Sequence, residues 1–108
     1  MLIYAAFVSN GVTYLRALQA ERRSDGYDIL SIFPEKYIGM EELGQCIEDK
    51  NDYMVVDTTP HVALLCLRKI LMRKLIEHRM QGHGNEVEIA LKSVMAAERI
   101  VKDNKKFL

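Results

Sequence analysis

The chain has 108 residues, 49% of them apolar and 28% charged, which excludes the disordered class and allows one domain with a single core of ordinary size. Formal net charge is zero, but Met1–Thr59 carries 5 Lys+Arg against 10 Asp+Glu (−5), and the rest carries 10 against 5 (+5). An acidic half followed by a basic one leaves open a polyanion partner, or basic helices lying over the acidic half of this chain or of a second copy.

In chain order, Leu2–Ser9 is rich in strand-favouring residues, and Val12-Thr13-Tyr14 resumes the pattern after Asn10-Gly11. Asn-Gly between two such runs is a hairpin signal, because both central residues of a type I′ turn need positive φ. Leu15–Arg23 reads LRALQAERR, strong helix formers, so a helix there competes with continuation of the ribbon. We take the ribbon, with a second turn at Ser24-Asp25-Gly26 and a third strand over Tyr27–Phe33 that Pro34 ends.

Glu41–Lys50 reads as a short helix with Met40, Leu43 and Ile47 on one side, weakened by Gly44. Tyr53-Met54-Val55-Val56 is a compact apolar run of the kind that lies between neighbouring strands. A helix over Pro60–Met80 follows, with Thr59 as N-cap and Pro60 at the first helical position. Gln81-Gly82-His83-Gly84 marks its end; Asn85 then caps a last helix, with Glu88 positioned for a capping box. Val87, Leu91, Val94 and Val101 give that helix one apolar stripe, and Lys102–Leu108 is a polar tail expected to fray.

The expected fold is therefore α/β and a single domain over 1–108: a small mixed sheet in β-β-β-α-β-α-α order, with the two C-terminal helices on one face. The alternative, a three-layer β-α-β-α-β-α-α arrangement, requires the Leu15–Arg23 helix. The element order of the first reading resembles the ribonuclease-H and actin-like ATPase topology over roughly Leu2–Met80. In nuclease members that resemblance implies an acidic residue in the first strand and another at the end of the fourth. Asp57 stands at the second position, but Leu2–Ser9 contains no carboxylate. The actin-like members imply a Gly-rich phosphate turn, which Ser9-Asn10-Gly11 is too slight to provide.

The Pro60 helix is the most informative element. Val62, Leu65, Met72 and Ile76 form one apolar row and Leu64, Leu67, Leu71 and Leu75 a second beside it, an arc wider than one sheet can cover. We expect a homodimer in which Leu64, Leu67, Leu71 and Leu75 meet a symmetry mate. Arg68, Lys69, Arg73, Lys74 and Arg79 follow the same helix and form the candidate binding stripe for a phosphate backbone.

Asp57 is the single catalytic candidate, between a strand and a helix N-terminus; its bland role is to bond the Thr58-Thr59-Pro60 turn. His61, His78 and His83 have no Cys or carboxylate at familiar metal-ligand spacing, so no metal is expected. No P-loop or dinucleotide fingerprint occurs, and no cofactor is expected. Cys46 and Cys66 read as free thiols. The N-terminal run lacks a basic leader and cleavage site, and charges divide the Pro60 helix, so the expected location is cytoplasmic without a membrane span. Functionally, the expectation is a non-catalytic interaction or regulatory module acting as a homodimer and open to a further protein partner. The alternative is a nucleic-acid-associated protein with a degenerate nuclease-like fold.

Overall fold

The computed structural model describes residues 1–50, 52–80, 82 and 84–103. Asn10 and Gly11 take φ of 51° and 75°, turning β1 (Leu2–Ser9) back onto β2 (Val12–Arg23) in register from Ser9↔Val12 to Leu2↔Gln19. Leu15–Arg23 is thus strand, and its pairing with β1 overrides its helix propensity. A second tight turn leads into β3 (Gly26–Ile29), shorter than the expected Tyr27–Phe33. The chain bends after Ile29 and returns as β4 (Lys36–Gly39), a strand the sequence reading missed.

The expected Glu41–Lys50 helix does not form. Met40–Glu42 makes one 3-10 turn, and Gly44 then takes φ of 76° and donates its N–H to the Val56 carbonyl at 2.9 Å. Cys46–Asp49 is strand β5, which pairs with β6 (Asp52–Asp57) from Asp49↔Asp52 to Cys46↔Val55. The reason for the miss is specific. Met40, Leu43 and Ile47 fit a helical period, but the left-handed Gly44 breaks the run before a second helical turn can close.

Among the described residues the six strands form one sheet of order β4-β3-β2-β1-β6-β5, antiparallel at every junction. This corrects the expected mixed sheet, and the ribonuclease-H-like order is not confirmed, since among the described residues no α-helix separates the early strands from β6. Helices α1 (Pro60–Met80) and α2 (Asn85–Asp103) follow, α1 packed on β1 and β6, α2 on β2 and on α1. Thr59 caps α1 as expected, its Oγ1 accepting the Val62 N–H at 3.2 Å. Gly82, with φ of 80°, ends it. The expected fraying beyond Asp103 and His83's place in the turn lie outside the described residues.

Strand alternation gives the sheet two apolar faces. Val8 and Val55 point to the helices and join Leu64, Leu67, Leu71 and Val94 in the main core. Ile3, Ala5 and Val56 point the other way and join Tyr27, Ile29 and Ile38, where the sheet curls over itself. Each fully buried Leu of α1 contributes on the order of 2 kcal/mol of transfer free energy. No helix among the described residues is long and apolar enough to cross a membrane.

Candidate functional site

The face opposite the helices holds a trough. β4 and β5 lie at opposite edges of the sheet, so the connection Met40–Gln45 must cross this face, and Met40 and Leu43 pack on its apolar cluster. Beside that crossing a cleft of about 520 Å³ remains, floored by Ala5, Leu18, Ile38, Met54 and Val56. Its depth has a local cause: the inward residue at the middle of β1 is Ala5, flanked in register by Arg16 and Val56, so no large side chain fills the centre. Phe7, next along, is stacked on Tyr14, ring centroids 4.8 Å apart and planes 16° apart.

The cleft also carries charge. Arg16 and Lys36 line it, with the Arg16 guanidinium 5.9 Å from the Phe7 ring centre. Neither cation is in an ion pair among the described residues, where the pairs use Arg23, Arg68, Lys74, Arg79 and Lys92. Glu41 and Glu42 line the opposite wall. The Glu41 carboxylate folds against Gly39, on the outer side of β4 that Tyr37 also occupies, where a side chain at position 39 would collide with it. The Tyr37 hydroxyl donates to Asp25, which holds its pKa up to about 12.

Asp57, the catalytic candidate, serves its turn: Oδ1 accepts the Thr58 N–H at 2.7 Å, and a Cβ on Gly44 would lie 3.3 Å from Oδ2. It shares no cleft with Asp28, which is three strands away and bound to Arg23 at 2.6 Å. No three of the His, Cys, Asp and Glu side chains converge among the described residues. Cys66 is half-buried near Asp57; burial first, then that carboxylate, pushes its thiol pKa up, and burial does the same for Cys46. A thiol held neutral is a poor nucleophile. His61 sits beside Arg68 and Glu98 at the helix surface, and His78 beside Tyr53 and Glu86.

The five cations of α1 do not form one stripe. Arg68 Nε lies 2.7 Å from Glu98 of α2, close enough for an ion pair but without hydrogen-bond alignment. Lys74 reaches Glu48 of β5 at 2.9 Å, and Arg79 reaches Glu88 of α2 at 3.6 Å. Lys69 and Arg73 point outward, exposed. The acidic and basic halves of the chain thus meet partly within one molecule, through Lys74 and Glu48.

The leucine row also needs correcting. Leu64, Leu67 and Leu71 are fully buried in the chain's own core and have no surface to offer a second copy, and Leu75 is half-buried against that core. The other row is the more open one: Val62 is 39%, Met72 46% and Ile76 62% exposed, and Leu65 is half-buried. The sequence reading missed the trough altogether. Its one signal was the β2 alternation of Tyr14, Arg16 and Leu18, which places a lone cation on an apolar face.

No protein-family model matches the chain, and no curated protein or solved structure matches it significantly.

Proposed function

We infer that this protein is a non-catalytic interaction module that acts as a homodimer, and that the outer face of α1 is its contact surface. The observation that carries this reading is the composition of α1. It is apolar around most of its circumference, yet the sheet and α2 cover only one side of it. A helix of that kind is normally enclosed; α2 also leaves Ile89, Met95 and Ile100 exposed outside its single buried stripe, so the distinction of α1 is that apolar residues recur on both its buried and its open side. Exposed apolar side chains along one helix suit an isologous contact, in which the same patch meets itself.

Charge restricts the geometry. Lys69 and Arg73 are interleaved with the apolar row, so an alignment that sets them against their own mates is repulsive. An antiparallel crossing centred between Met72 and Arg73 avoids this. It sets Lys69 against the mate's Ile76 and Met72 against the mate's Arg73 stem, so that each cation lies over an apolar chain with its head free to reach water. The nucleic-acid alternative has less support, because three of the five candidate cations are engaged within the chain.

Sedimentation velocity at micromolar concentration tests the reading. The native chain should sediment as a dimer, and M72E/I76E, which alters exposed residues only, as a folded monomer. A native chain that is a clean monomer at that concentration overturns it.

A further inference from the structure

We propose that the trough on the helix-free face is a binding site for a small anionic amphiphile, a molecule with a linear or aromatic apolar body and one carboxylate, whose head is held by Arg16 and Lys36. This site lies across the sheet from α1 and does not depend on the dimer.

Size is the first argument. A cleft of about 520 Å³ is within the range of small-molecule sites, and it is walled on two sides by chain, Ser31–Ile32 and the Glu41–Gln45 crossing. A folded protein normally fills such a space; here the floor residue is Ala5, at the centre of a central strand. The floor is aliphatic, and Met54 adds a flexible side chain that can fit ligands of different shape.

The second argument is charge. Arg16 projects from the middle of β2 and Lys36 from the first position of β4, both toward the cleft, and no carboxylate among the described residues pairs with either. Arg16 is steadied by the Phe7 ring, so its planar donors are partly positioned before a ligand arrives. Of the two acidic residues that line the cleft, Glu41 packs its carboxylate against Gly39 and near Tyr37. Two cations outside any ion pair among the described residues thus share the lining with Glu42 and with a Glu41 whose carboxylate is packed on Gly39, and an anion with an apolar tail fits this arrangement better than a cation or a neutral chain.

Three ten-carbon probes separate the possibilities: decanoate, decanol and decyltrimethylammonium, each titrated into the full chain below its aggregation limit and followed by amide chemical shifts. Decanoate should bind at least tenfold tighter than the other two, with shifts centred on Ala5, Leu18, Met54 and Val56. R16Q/K36Q, both at exposed positions, should bring decanoate down to the affinity of decanol without changing decanol itself. Equal binding of decanoate and decanol overturns the proposal, as does tighter binding of the cation, shifts centred on α1, or no binding of any probe. The monomeric M72E/I76E variant should bind decanoate as the native chain does, which separates this site from the dimer.

Discussion

Tyr37 illustrates how a single side chain reads its surroundings. It is partly exposed, yet its hydroxyl donates to the Asp25 carboxylate, with Glu41 nearby, and both disfavour the tyrosinate. Because the folded pKa is raised to about 12 from the ordinary 10.0, the bond's contribution is complete below pH 10 and disappears as pH rises through the folded value. Ultraviolet titration should therefore find a late tyrosinate step near pH 12 that Tyr37→Phe removes and Asp25→Asn moves earlier. Not all of this could be read from residue identities. Asn10-Gly11 declared its turn because two positive φ values have few solutions, and Thr59-Pro60 declared a helix start. Asp57 was placed correctly at a strand end, but whether other carboxylates join it depends on strand order, which no local signal carries.

At the scale of elements, legibility followed length. The 21 residues of α1 and the 19 of α2 carry enough periods to be unmistakable, whereas the four of β5 satisfied a helical and a strand pattern equally well. The two apolar rows of α1 were visible, but which one the sheet takes was not, because that depends on how α1 rolls onto β1 and β6. The outcome has a measurable signature. Leu67→Ala should cost about 2–5 kcal/mol in denaturant unfolding, through lost burial and the cavity left behind. Ile76→Ala, on the open row, should change the stability of the dilute subunit by no more than about 0.5 kcal/mol. Comparable losses at both positions would mean that the helix is rolled differently.

The molecule as a whole carries a sheet layer that is net acidic and a helix layer that is net basic, joined by the Lys74–Glu48 bridge. That arrangement limits polyanion binding more than the sequence suggests. Heparin should retain the protein only at low salt, with a log–log salt slope of about −2, supplied mostly by Lys69 and Arg73, the α1 cations that stand outside the ion pairs. A slope several times steeper would revive the nucleic-acid reading. The trough, by contrast, exists only at this scale: it needs β4 and β5 at opposite edges and the connection between them laid across the face, a relation between residues far apart in sequence.

The strand order also bears on how the molecule assembles. Every ladder joins neighbours along the chain except one, β1 to β6, which spans some fifty positions. During synthesis a four-strand meander can zip up from local hairpins, but the bare flank of its first strand then waits, unsatisfied, for a segment not yet made. The slow event in folding, and the moment of greatest risk of sticking to another nascent chain, should thus be the capture of Tyr53–Asp57 by that flank. Variants that weaken this capture should lower the yield of native protein well before they lower the stability of what has folded.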